Sequence, residues 1–330
     1  MGIDYPIVQA PIGAAATPEL VAAVSAAGGL GILASTWPAD PVAQVRKVRE
    51  LTARPFGVNL VLEWDQHERL AALLEAGARI VSLTWGDPAE YVEMVHDAGG
   101  LLMHTVGTAE EARRVVGAGA DIVVAQGVEA GGHVWSDVAT LPLVAAVADA
   151  VDVPVLAAGG IGDGRGIAAA LALGASAGWL GTRFLLAQEA PINEEYRQRL
   201  VSAGEGDTVW LADLFDRGWQ GAPHRVVQNS VVEAWEAAGR PSFGKRPGEG
   251  DVVAYRNGRP ILRYSSTLPL ASDEGDLEER ALWAGQSVGV VRDIAPAADI
   301  VRQLAAECHA VIRQLSAIPR ARPAVRYPVC

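Results

Sequence analysis

The chain reads as an α/β protein built on a (β/α)8 barrel, and three observations carry that reading. Eight short apolar runs recur about every 21 to 32 residues through residue 190, the length of one strand plus one crossover helix. These runs are apolar throughout rather than alternating, as parallel strands covered on both faces require. Between them stand Ala-rich stretches with helix start and stop signals. Eight such units close into a barrel more readily than they stack as an open doubly wound sheet, which stands as the alternative architecture.

The runs follow in order as PIVQA, LGILAS, FGVNLVL, IVSLTW, LLMHTV, IVVAQG, PVLAAGG and AGWLGTRF. After the first, TPELVAAVSAAGG offers Thr17 as a cap, Pro18 at the first helical turn and Glu19 behind it. After the fifth, TAEEARRVVGAGA places Glu111 three residues beyond Thr108, the spacing of a capping box, and ends in glycine. After the seventh, GDGRGIAAALALGA opens in glycines and runs apolar at helical spacing.

The rhythm stops near residue 190. The segment 191–280, with its GEGD, NGRP and ASDEGDLEER stretches, is expected to form a smaller, mostly helical inserted cap or substrate domain over one mouth of a barrel made by 1–190 plus 281–330. IAPAADIVRQLAAECHAVIRQL predicts an amphipathic helix returning to the barrel wall, and PRARPAVRYPVC a proline-rich tail.

Half of the 330 residues are hydrophobic, enough for a large core, and the formal net charge is −12. An acidic chain without basic stripes is not expected to bind nucleic acid, whose phosphates demand them. No apolar run is long enough to span a bilayer, and the N-terminus lacks the pattern of a signal peptide, so a cytoplasmic protein is expected. Cys308 and Cys330 have no metal-type spacing, and no metal site is expected.

In such a barrel the chemistry sits at the C-terminal ends of the strands. Those positions hold Ala10-Pro11-Ile12-Gly13, Asn59, Trp85-Gly86, His104, Gln126 with the Gly131-Gly132-His133 loop, Gly159-Gly160 and Gly181-Thr182. Uncharged amides, glycines and histidines converge there without a pair of acids, which disfavours a glycosidase. Glycine turns after the seventh and eighth strands, feeding helix N-termini, form a phosphate site in barrels of this kind. Gly160, Gly181 and the Thr182 hydroxyl are its expected elements. A phosphate held there with Asn59 and Gln126 further in suits flavin mononucleotide (FMN), and Gly131 and Gly132 would let backbone lie against its ring. A phosphorylated sugar or simple phosphate ester would use the same handle.

The stretches QAPIGAAATPELVAAVSAAGGLG, RPFGVNL, AQGVEAGGHV, VPVLAAGGIGDGRGIAAALALGA, GTRF and WAGQSVG together resemble the nitronate monooxygenase family. The resemblance covers about residues 5 to 310 and includes RVVQNSVVEAWE of the insertion. It implies an FMN-dependent barrel that oxidises alkyl nitronates, and neutral nitroalkanes, with dioxygen to a carbonyl compound and nitrite. It also implies His133 as the catalytic base, with FMN contacts from Pro11, Ile12, Asn59, Gln126, Gly131, Gly160, Trp179, Leu180, Gly181 and Thr182. Val134-Trp135 stands where many relatives have Arg-Gly, and SLTWG lacks a histidine common after the fourth strand. Both departures bear on the substrate. Similar barrels reduce enoyl thioesters or quinones with NAD(P)H, which is the alternative function; a phosphate-ligand barrel without redox work is a third.

Trp85, His104 and Trp135 are the expected walls of a substrate pocket. Trp210, Trp219, Trp235 and Trp283 are expected to fill the insertion's own core, and His67, His96 and His224 to be solvated. Glu129 is expected to face water rather than orient His133. A homodimer is left open by the sequence.

Overall fold

The computed structural model describes residues 1–317. Eight parallel strands close on themselves: β1 (Ile7–Gln9), β2 (Leu30–Ala34), β3 (Phe56–Val61), β4 (Ile80–Thr84), β5 (Leu101–Val106), β6 (Ile122–Gln126), β8 (Val155–Ala158) and β9 (Ala177–Leu180). The short strand β7 (Gly132–His133) lies outside that ring. Closure is made by β9 pairing with β1, Val8 opposite Trp179 and Gln9 opposite Leu180. This is a TIM barrel.

Helices α1 (Pro18–Ala26), α2 (Pro41–Leu51), α3 (His67–Glu75), α4 (Ala89–Asp97), α5 (Ala109–Gly117), α6 (Thr140–Ala148) and α7 (Gly164–Ala172) wrap the strands, and the short α8 (Thr182–Leu185) follows β9. At the helix starts, Thr17 Oγ1 accepts from the Leu20 N–H with Pro18 at the first turn, and Thr108 Oγ1 accepts from the Glu111 N–H. The expected capping box is only half made, because the Glu111 carboxylate accepts from the Gly107 N–H and the Trp135 indole rather than from Thr108.

Strand alternation divides the core into two layers. Val8, Ile32, Met103, Val124, Leu156 and Trp179 fill the barrel interior. Their neighbours, such as Ile7, Leu33, Ala125 and Leu180, face the helices in a second, larger cluster. That cluster continues without a break into Leu200, Phe215 and Val226 of the segment 191–280.

The segment 191–280 differs from the mostly helical expectation. It holds two helices, α9 (Glu194–Ser202) and α10 (Ser230–Ala237), and five strands: β10 (Thr208–Leu211), β11 (His224–Val227), β12 (Val252–Arg256), β13 (Arg259–Leu262) and β14 (Asp273–Gly275). The physical reason is local. Asn257 and Gly258 both take positive φ (51° and 73°), the left-handed pair that a two-residue hairpin turn needs, so VVAYR folds back on RPIL. HRVV is β-branched and finds two partners, β10 on one side and β7 on the other. Through β11 the insertion is stitched to the loop that carries His133.

Helix α11 (Ala297–Ser316) returns to pack on α7 and α1, as its amphipathic pattern predicts. The proline-rich tail and Cys330 lie outside the described residues. No helix among the described residues is long and apolar enough to cross a membrane.

Candidate active site

A cavity of about 390 Å³ opens at the C-terminal ends of the strands, within the range of small-molecule sites. Its wall brings together residues from across the chain. Pro11 and Ile12 come from the turn after β1, Asn59 from β3, and Gln126 from the end of β6. Gly131, Gly132 and His133 form one side; Gly160, Trp179, Gly181 and Thr182 form another. Leu180 does not join them. Strand alternation sends its side chain outward while Trp179 points inward.

The amides are held in place by the fold. Asn59 Nδ2 donates to the Ser82 carbonyl at 3.1 Å, and to the hydroxyls of Ser82 and Thr84, leaving Oδ1 as an acceptor with no partner among the described residues. Gln126 is more fully engaged. Its Nε2 donates to the His133 carbonyl at 3.2 Å and its Oε1 accepts from the Trp135 N–H at 2.8 Å. The side chain therefore clamps the His133 loop against the barrel.

The two late glycine turns divide their work differently from the sequence expectation. The first N–H groups of α7 are already taken: Asp163 accepts from Arg165 and Gly166, and Glu307 accepts from Gly164 at 2.9 Å. That helix end has no donors left for a phosphate. The N–H groups of Gly160, Ile161, Gly181 and Thr182 have no acceptor among the described residues, and all four residues line the cavity. Gly160 sits at φ +69°, a conformation that a side chain would strain. The Thr182 hydroxyl accepts from the Gly285 N–H at 3.0 Å, tying the 284–285 turn to the same rim.

His133 stands in β7, opposite His224 of β11. Its ring lies 4.1 Å from Trp219 and 5.3 Å from Trp283, centroid to centroid, with Trp85 edge-on at 6.1 Å. His133 Nδ1 is buried without a hydrogen-bond partner among the described residues. Burial pushes the imidazole pKa down to about 3; the nearby His224 lowers it further, and the carbonyls of Ala222 and Pro223 oppose both. The ring is neutral at physiological pH.

His224 is the clearest departure from expectation among the histidines. It is fully buried, where solvent was expected. Its Nδ1 pairs with the Ala222 carbonyl at 3.0 Å while Nε2 accepts from the Phe215 N–H, so both nitrogens are committed and the ring is held neutral. Burial lowers its pKa as well. His67 and His96 are half exposed beside Asp65 and Asp121, as expected.

The expected pocket walls are reassigned. His104 is buried on the helix-facing side of β5, and its neighbour Thr105 lines the cavity instead, because adjacent strand residues face opposite ways. Trp85 and Trp135 form a second layer: Trp85 packs on Trp219 at 4.6 Å and on Trp135 at 5.0 Å without reaching the cavity. Trp85 sits at φ +63°, a conformation whose strain is of order 1–3 kcal/mol and which this aromatic packing sustains. Trp37, Trp219 and Trp283 line the cavity in their place. Trp219 and Trp283 are thus not confined to the insertion's core, while Trp235 is buried as expected and Trp210 is 38% exposed. Glu129 does not hydrogen-bond His133; it is half-buried and accepts from the Thr140 N–H and hydroxyl at 2.8 Å.

Sequence reasoning missed Trp37, Trp219, Trp283 and Arg256, all of which line the cavity. They lie outside the barrel strands, so strand-end counting could not reach them; the Asn257-Gly258 turn was the one signal near Arg256.

The family model for nitronate monooxygenase matches residues 1–68 and 64–307. The chain is 33% identical to the (3aS,4S,5R,7aS)-5-hydroxy-7a-methyl-1-oxo-octahydro-1H-indene-4-carboxyl-CoA dehydrogenase of Rhodococcus jostii, over 96% of each chain. It is 34% identical to a nitronate monooxygenase of Pseudomonas aeruginosa, covering 93% of this chain and 97% of that one. Among solved structures, nitroalkane oxidase from Streptomyces ansochromogenes superposes with a TM-score of 0.77 at 31% identity, over 95% of this chain and 98% of the other.

Proposed function

The chain belongs to the nitronate monooxygenase family and is an oxidoreductase, and on that premise we propose that it uses FMN and dioxygen to oxidise alkyl nitronates to a carbonyl compound and nitrite. The observation that carries this reading is the convergence, on one cavity, of unclaimed backbone donors, an unpartnered amide acceptor and a neutral imidazole. That donor set fits the cofactor. The N–H groups of Gly160, Ile161, Gly181 and Thr182 would take its phosphate, no carboxylate in the wall repels it, and Asn59 offers a neutral partner to the ring. Pro11, Ile12, Gly131, Gly132 and Trp179 complete the wall it would occupy. Bound FMN supplies the electron transfer, which no side chain of the cavity can perform.

His133 is the group able to move a proton beside that ring. With a pKa near 3 it is always ready to accept one but holds it weakly, so an anion already lacking the α-proton is the better substrate. Neutral nitroalkanes are accordingly the slower class. Trp219 and Trp283 exclude water around the imidazole and leave an apolar space for the alkyl group. We further propose that 191–280 serves as the substrate-side cap of the barrel, since it contributes Trp219 and Arg256 to the wall. A cytoplasmic location and a homodimer fit this reading.

One observation favours a second reading, an NAD(P)H-dependent reductase of enoyl thioesters or quinones: the relative from Rhodococcus jostii is named for a carboxyl-CoA substrate. Anaerobic mixing of the flavin-loaded protein separates the two. Bleaching by ethylnitronate and not by NADPH is the expected result. Bleaching by NADPH alone would transfer the assignment to the reductase.

A further inference from the structure

We propose that Arg256 receives an anionic group of the substrate at the mouth of the cavity. Among the described residues that line the cavity, Arg256 carries the only formal charge. In a chain with a net charge of −12, a cation in a wall that contains no carboxylate, its one acidic partner Asp273 not lining the cavity, is a selective feature.

The guanidinium is held by one edge and bare on the other. Its Nε donates to Asp273 Oδ1 at 2.6 Å, and its Nη2 donates to Asp273 Oδ2 and to the Leu268 carbonyl, each at 2.7 Å. Nη1 makes no hydrogen bond among the described residues. Asp273 does not neutralise the pair, because Arg280 Nη1 also donates to Asp273 Oδ2 at 3.0 Å. Two guanidiniums share one carboxylate, leaving one positive charge to be matched. The last residue of β12 is therefore a pre-oriented donor, which loses little freedom when an oxyanion arrives. Trp219, Trp283 and Leu268 line the same cavity and thin the water that would screen the contact.

The ligand class is a compact oxyanion: a nitronate, a carboxylate or a phosphate. The cofactor phosphate already has four unclaimed N–H groups in the turns after β8 and β9, so Arg256 is left to the substrate. The proposal rests on the oxidoreductase reading for the identity of that substrate, but its test does not require turnover.

The flavin-loaded protein is titrated with propionate, an unreactive isostere of ethylnitronate, and with neutral propionamide, following flavin absorbance and tryptophan fluorescence. The wild type is expected to bind propionate at least tenfold more tightly than propionamide. Arg256→Gln is expected to weaken propionate tenfold or more while changing propionamide less than threefold, and Arg256→Lys to recover part of the loss. Equal affinities of the wild type for the two probes would overturn the proposal, whether or not the variants fold. So would an Arg256→Gln protein that weakens FMN tenfold and leaves riboflavin unchanged, since the oxyanion would then be the cofactor's. Neither probe is oxidised, so a failure to consume nitronates would sink the functional reading and leave this result standing.

Discussion

At the scale of single residues, burial keeps His133, His104 and His224 neutral, which bears on stability and, on the proposed function, on the chemistry. His133→Asn is expected to reduce kcat/KM for neutral nitroethane by about 10²–10⁴, the usual contribution of a positioned base, and for ethylnitronate by less than tenfold. Steady-state kinetics on the two substrates check this; equal losses would remove the role of base. Because burial holds the His133 pKa near 3, no histidine titration is expected in the nitroethane profile between pH 5 and 8, measured as kcat/KM against pH. His104 tests the same physics outside the cavity. Burial lowers its pKa from 6.5 to about 4, with nearby Asp87 opposing and Arg114 adding. The unfolded chain binds the proton first, so the stability held above pH 6.5 is lost as pH falls towards 4, about 3 kcal/mol from this ring. His104→Met should flatten that acid limb in urea melts at pH 7 and pH 4.5, since it removes a buried nitrogen that has no partner.

At the scale of elements, the loop from β6 to β7 succeeds because three neighbours constrain it. Gln126 clamps it from the barrel side, β11 pairs with it from the insertion, and the 284–285 turn lies directly against Gly131. A Cβ at Gly131 would collide with the Gly285 nitrogen and the Ala284 carbonyl carbon, which are backbone and cannot swing away. Gly131→Ala is expected to cost about 1–3 kcal/mol, the range for overpacking, and to weaken FMN binding by displacing one wall of the cavity. Thermal melts with and without FMN separate the two effects; an unchanged FMN affinity would show that the 284–285 turn does not shape the site. The same crowding explains a feature that spacing obscured. The glycine-rich start of α7 looks like an anion site in sequence, yet Asp163 and Glu307 use its donors, and Glu307 comes from α11 at the far end of the chain.

At the scale of the whole molecule, the barrel and the segment 191–280 share one apolar cluster, so ligand in the cavity stabilises everything at once. With FMN at 100 times its Kd the gain is about 2.7 kcal/mol. Melting of the stripped protein is expected several degrees lower, with riboflavin restoring less than FMN because it lacks the phosphate that Gly160, Ile161, Gly181 and Thr182 would hold. Identical melting with and without FMN would contradict cofactor binding in this cavity. The barrel and most of the cavity rim were legible in the sequence, because eight apolar runs and their strand-end residues obey local rules of spacing and turn chemistry. Pro11, Asn59, Gln126, His133 and Thr182 all follow from those rules. Which way a side chain faces needed the register: Leu180 and His104 point outward only because their neighbours Trp179 and Thr105 point inward. The walls supplied by Trp37, Trp219, Trp283 and Arg256 come from loops and the insertion, where no periodicity announces a partner. Their positions depend on contacts between residues far apart in the chain, and those contacts exist only once the strands have closed and the insertion has folded across them.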